Sequence, residues 1–501
     1  MYYTELYELI QLLSEKEKVE FKATISKSES SAKEFSLTEN LFDIFSVSEN
    51  EPEKIQVLKK LYKAVAVEEK YRKLVYRTRN KIIDFLTNTY SEESNSHIDA
   101  VDNAKKNVLK KALAFQILRF KGKKIKLLET LLDEIINTSI QFEFYPILLE
   151  YLLLKKTTLG LKGGEKVFIE IDKKIQFYMH CYNALNKADQ MNHYLKHLDG
   201  KTAIKSKIDN LQYEIELLRK EVIYTKSALI EYYKFYHEFT LYNLTSEFEN
   251  AKKTGYKILS LINENKSLKR KERLGIVYVN LTLSEMHLYN YPEALKCLNY
   301  AKLYLNPGTR NFYLALEHEF LCYFYSENYK VAREIINELI NDTNILLFNE
   351  FELARFRIYK VYMALAEGDY LLARKSILFK EEVSKDSIGW DFWSRILYII
   401  TSLILNKQDD AIVSIENLQR QILRISKHKD FRKRDLQIFR FLLLLNKNGF
   451  NYEHEKHKLN HHLHKGNDDL IWEPLTAELI PFENLLKLKY PHFSSSMEEV
   501  A

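Results

Sequence analysis

Five of the chain's 14 histidines fall within eleven residues, in the stretch HEKHKLNHHLH at 454–464. Imidazole is a common metal ligand and changes charge near neutral pH. The stretch could therefore hold zinc or nickel, switch charge near pH 6, or simply face water. On a helix turning about 100° per residue, His454, His457, His461 and His464 share an arc of about 80°, and His462 alone falls outside it. His457 and His461 are four apart, a spacing that can place two rings on one metal. However, Tyr452, Leu459 and Leu463 cluster at about 140–180° from His454, so the histidine arc is expected to point away from the core. There is no HExxH, and no second His/Cys/Asp/Glu cluster offers a third ligand. The expectation is a solvated outer face with no metal and no cofactor. A charge-switching contact surface and a native metal site are the alternatives.

Other chemistry is scarce. There is no GxSxG elbow, and TTLGLKGG at 157–164 lacks the GxxxxGK[ST] pattern of a phosphate loop. Cys181 follows His180, but adjacent helical residues diverge by about 100°. The acid pairs Glu381–Glu382 and Asp409–Asp410 sit where helices end or turn, which favours capping and solvation. The 34 Tyr, 28 Phe and 3 Trp fall at helical spacings that suit a core rather than a stacking platform; Trp390 and Trp393 flank a helix start and could be exposed or pack a repeat junction. A catalytic role is not expected; a site assembled from distant helices is the remaining enzymatic alternative.

The net charge of +6 is mild but uneven. Residues 51–130 hold 19 Lys and Arg against 10 Asp and Glu, whereas residues 1–50 hold 5 against 10. The basic region centres on KLVYRTRNK (73–81) and KKNVLKKALAFQILRFKGKKIK (105–126). A polyanion such as a nucleic acid could use it, with Arg77, Arg79 and Lys81 as contacts. The plainer reading is lysine-rich helices with a solvated face.

What must position these residues is helical. The 501 residues include only 12 Gly and 7 Pro, and strands need turns that Gly and Pro supply. No targeting segment is expected from MYYTELYELIQLL. The most apolar run, ILYIITSLIL (396–405), is about half the length that a bilayer requires, so no membrane association is expected. Three widely spaced cysteines, Cys181, Cys297 and Cys322, read as buried reduced thiols of a cytoplasmic protein.

Residues 1–90 are expected to form a small helical domain. Ser14 and Glu17 have capping-box spacing there, and one long or two short helices follow Pro52. SEESNSHIDAVDN (91–103) reads as a boundary. Long helices follow over 104–225, with a bend at the glycines of 157–164.

From 226 to 430 a repeat emerges. Phe248, Tyr291, Tyr329, Tyr370 and Gln408 each stand three residues before an alanine: Ala251, Ala294, Ala332, Ala373 and Ala411. The alanines recur at intervals of 43, 38, 41 and 38 residues. An apolar helix precedes each, such as LALEHEFLCYFY or FRIYKVYMALAE. LAEGDYLLA carries Gly368, Tyr370 and Ala373, and Ala301 and Pro307 follow Ala294. In these residues the chain resembles the tetratricopeptide repeat, with a period longer than that family's. With its opening LIQLLSEKEKVEFKATI it is also similar to a group of cytoplasmic tetratricopeptide-like proteins common in Bacteroidetes bacteria. The resemblance implies an all-α solenoid of helix hairpins behind an N-terminal helical domain. Residues 431–501 would supply C-terminal helices and a cap, with 470–493 covering the last open face.

By the same resemblance the groove would be lined by first helices, with Glu317, Phe324, Arg355 and Tyr362 as candidates. The expected role is an interaction scaffold for a protein or peptide partner. A nucleic-acid- or transcription-associated regulator using residues 51–130 is the alternative.

Overall fold

The structure, a computed structural model, describes residues 2–28, 32–48, 50–62, 68–89, 99–120, 125–197, 201–341, 348, 350–377, 386, 388–425, 431–463 and 470–490. The described residues are almost all helical, with no strand among them. The chain divides into two compact units, 1–98 and 99–501.

The first unit holds α1 (Tyr2–Gln11), α2 (Glu15–Ser28), α3 (Ala32–Val47), α4 (Lys54–Tyr62) and α5 (Glu68–Thr89). Its core is formed by Leu6, Ile10, Phe21, Leu41, Phe42, Phe45, Tyr71, Ile82 and Phe85. The capping box closes as its spacing predicts. The Ser14 amide donates to Glu17 Oε2 at 2.8 Å, and the Glu17 amide donates to Ser14 Oγ at 3.3 Å, so two amides without helical partners are satisfied at the start of α2.

The second unit opens with α6 (Ala100–Phe120), α7 (Ile125–Gln141), α8 (Tyr145–His197) and α9 (Lys201–Thr225). Helix α8 breaks at Gly164, whose φ of 74° only glycine adopts freely, so the expected bend is present. Then come α10 (Ala228–Leu244), α11 (Phe248–Glu264), α12 (Lys271–His287), α13 (Tyr291–Tyr304), α14 (Arg310–Tyr325), α15 (Tyr329–Asn341) and α16 (Glu350–Ala366). The last are α17 (Tyr370–Ser376), α18 (Trp390–Ile404), α19 (Gln408–Ile425), α20 (Lys433–Lys447), α21 (Tyr452–Leu463) and α22 (Phe482–Lys489). Neighbours pack in sequence, α10 on α11, α12 on α13, and onward to α20 on α21, which makes an all-α solenoid of stacked hairpins.

The repeat read from the sequence has a physical basis in these hairpins. Helices α11, α13, α15, α17 and α19 begin at Phe248, Tyr291, Tyr329, Tyr370 and Gln408, and the five alanines three residues later are fully buried. A methyl group is what the close crossing of paired helices leaves room for. Two residues before each second helix the backbone is left-handed: Ser246, Tyr289, Glu327, Gly368 and Asn406 have φ between 58° and 79°. The next amide reaches back to the preceding helix, as in Asn290 N to Glu285 O (2.9 Å) and Lys407 N to Ser402 O (2.8 Å). This is the closed turn that ends a helix with a left-handed residue.

The pair α20/α21 repeats the pattern, with Gly449 and Phe450 left-handed and Tyr452 opening the second helix. It is a sixth hairpin, which the alanine alignment passes over because position 455 holds a glutamate. The α7–α8 turn is built alike. Glu143 is left-handed (φ 56°), and Phe144 N donates to Ser139 O at 2.8 Å. The Glu143 carboxylate accepts from Ala228 N (3.1 Å), Ser267 Oγ (3.1 Å), Tyr145 OH (2.8 Å) and Ser227 Oγ, which ties this turn to the start of α10.

Candidate functional site

The histidine stretch lies on α21. Tyr452, Leu459 and Leu463 are buried and His454 and His457 exposed, as the helical phasing expects. The side chains of His461, His462 and His464 lie outside the described residues. Glu455, between the two faces, is wholly buried in the place of the repeat alanine. It pairs with Lys458 Nζ (2.8 Å) and His454 Nδ1 (2.8 Å), which pull its carboxyl down to about 2. Among the described residues no three His, Cys, Asp or Glu side chains converge as a metal site would require. All three cysteines are buried and unpaired. Burial pushes the thiols up, Cys181 to about 11 and Cys297 to about 12, so neither is a thiolate at neutral pH.

The basic candidates of α5 do not share one face. Arg77 and Lys81, with Lys73, Tyr76, Asn80 and Asp84, line an open depression of about 430 Å³. Arg79 points instead towards α1, with Nε 3.7 Å from Glu5 Oε2. Acids also temper the charge, Glu69 on Lys73 (2.8 Å) among them.

The groove candidates sit on the first helices α14 and α16, and three of the four are buried. Arg355 Nη2 donates to Glu317 Oε2 at 2.7 Å, and Tyr359 OH donates to Glu317 Oε1 at 2.7 Å. Burial pushes the Glu317 carboxyl up, and Arg355 opposes it. Phe324 packs against Phe320 and Tyr329, inside the hairpin rather than on its surface. Of the four, Tyr362 contacts the C-terminal segment: its hydroxyl donates to Ala477 O at 2.6 Å.

That contact introduces the main feature of this surface. Residues 470–490 run across the first helices of four consecutive hairpins. The Leu475 amide donates to Tyr325 OH on α14 (3.1 Å), and the Trp472 ring meets the Tyr325 ring edge-on at 6.0 Å. Ala477 hangs from Tyr362 on α16. Helix α22 then packs on α18, and Phe482 meets Phe441 of α20 at 6.3 Å. Arg434 of α20 anchors the middle. Its guanidinium grips Glu478 twice (2.7 and 2.8 Å), Glu483 (2.6 Å) and the Leu470 carbonyl (2.8 Å). Arg434 and Glu478 are almost completely out of water. Burial pushes the Glu478 carboxyl up and Arg434 opposes it; the bidentate fork compensates desolvation that a lone charge could not survive. At the far end Tyr490 OH donates to Phe450 O (2.9 Å) and its ring stacks on Tyr452 at 4.8 Å.

A cap covers the last repeat; this segment does so and also reaches back to α14. Part of it is irregular backbone, in which the Leu475 amide and the Leu470 and Ala477 carbonyls are satisfied by tyrosine and arginine side chains of the repeats. Among these anchors only Tyr362 was singled out from the sequence. Tyr325, Arg434 and Glu478 were not: Arg434 is one of three arginines in FRKRDLQIFRFLLLL, and the tail carries three acids, Glu473, Glu478 and Glu483, so nothing local singles out the pair. No protein-family model matches the chain, and no curated protein matches it at a significant level.

Proposed function

We propose that the chain is a non-catalytic adaptor whose first-helix face holds extended polypeptide, in the manner of a degenerate tetratricopeptide-repeat protein. The observation that supports this is the path of residues 470–481, where the repeats grip main chain through Tyr325, Tyr362 and Arg434. A face that satisfies an irregular backbone in this way has the means to hold a partner's peptide. Buried, unpaired cysteines support a reducing, cytoplasmic setting.

The test is exchange. A protease site placed within 464–469 would nick the chain, and fluorescein-labelled peptide 470–490 would then compete for the vacated face. Saturable anisotropy, weakened about 100-fold by Arg434→Gln, is the expected result. No exchange under conditions where the nicked chain stays folded would mean that the face is sealed core and not a peptide site.

A second reading, nucleic-acid association, draws on the alignment of Lys73, Arg77 and Lys81 along one face of α5. Binding should then fall steeply with salt. Arg77→Glu with Lys81→Glu leaving it unchanged would remove that surface from consideration.

A further inference from the structure

Helix α6 has two apolar faces, and among the described residues only one is covered. Val101, Val108, Ala112 and Phe115 are buried; Phe115 packs edge-on against Tyr151 of α8 at 5.8 Å. About 100° or more around the helix run Leu109, Leu113, Ile117 and Phe120, at helical spacing. They are 51%, 63%, 46% and 88% exposed. Basic side chains accompany this second stripe. Helix α6 carries Lys105, Lys106, Lys110, Lys111 and Arg119 against the single acid Asp102. Lys105 and Lys110, which flank the stripe, are exposed, as is Arg119, whereas Lys111 is drawn to Glu134 (2.8 Å).

We propose that this face of α6 docks on an anionic lipid bilayer surface. Charge selects among the occupants. A second copy would bring like charges together, which opposes a symmetric contact through this stripe. Nucleic acid phosphates would reward the lysines but leave four large apolar side chains unsatisfied. An anionic bilayer rewards both, taking Leu109, Leu113, Ile117 and Phe120 into the interface while the lysines meet headgroups. Docking of this kind needs no spanning helix, and no described helix is long and apolar enough to be one.

Flotation of the full chain with vesicles tests this, using phosphatidylcholine alone and phosphatidylcholine mixed with phosphatidylglycerol. The chain should float with the mixed vesicles only, and less as salt rises. Ile117→Gln with Phe120→Gln should lower partitioning about tenfold or more, and Lys105→Gln and Lys110→Gln about fivefold each. Circular dichroism and the thermal midpoint should not change, because all four side chains are exposed. The proposal is overturned by equal flotation with neutral vesicles, by no flotation, or by flotation indifferent to Ile117 and Phe120. It is likewise overturned if these two substitutions dissolve a dimer seen by light scattering, or if Lys105 and Lys110 bind an oligonucleotide while vesicles stay bare.

Discussion

Arg434 concentrates the residue-scale chemistry. One guanidinium satisfies two carboxylates and a carbonyl, so removing it takes the cation away from the buried carboxylate of Glu478. Arg434→Gln should cost about 3–5 kcal/mol of unfolding free energy in urea. A change within experimental error would mean that the segment 470–490 is held by its apolar side chains alone. Glu455 shows a different economy: a carboxylate in the alanine slot of the sixth hairpin, kept ionised by Lys458 and His454 at its rim. The described members of the histidine stretch, His454 and His457, lie on the outer side of the same helix.

At the scale of the element, the hairpin turn is the conserved geometry within the chain, and its residues are not. The left-handed position is glycine at Gly368 but Ser246, Tyr289, Glu327 and Asn406 elsewhere. A side chain there costs about 1 kcal/mol, because its Cβ crowds the following carbonyl. Glu327→Gly should therefore raise stability by up to about 1 kcal/mol, read as a higher urea midpoint at unchanged slope. Lower stability would mean that flexibility gained by the unfolded chain outweighs the relieved strain. This variability also explains what could be read in advance. The buried alanine and the aromatic opening the second helix are side-chain requirements and repeat visibly. The left-handed turn is a backbone requirement that several residue types meet, so it leaves no residue signature at α7–α8, whereas α20–α21 escapes the alignment because Glu455 takes the alanine's place.

At the scale of the whole molecule, the second unit carries histidines that folding keeps neutral. Burial pushes His237 and His318 down to about 4, with Arg355 adding to the effect on His318. The folded state therefore binds fewer protons than the unfolded state between pH 6.5 and 4. The stability from each histidine is complete above the unfolded value and is lost as pH falls through the folded one, about 3 kcal/mol per residue. Neither ring nitrogen of His237 has a hydrogen-bond partner among the described residues. His237→Leu should thus flatten the acid limb of a stability–pH curve without loss at neutral pH. An unchanged limb would assign the acid sensitivity to other groups.

The sequence by itself determined the class of the fold and its period. Scarce Gly and Pro, apolar residues at helical spacing, and alanines at the helix crossings are local demands, and each is written in adjacent residues. Tertiary structure alone decided what occupies the first-helix face. The Leu475–Tyr325 and Ala477–Tyr362 bonds join residues 150 and 115 apart in the chain, and no local pattern specifies a pairing across that distance. It also decided which apolar stripe of α6 is covered. Amphipathic spacing shows that a helix has faces, but only the neighbours packed against it determine which of them meets water.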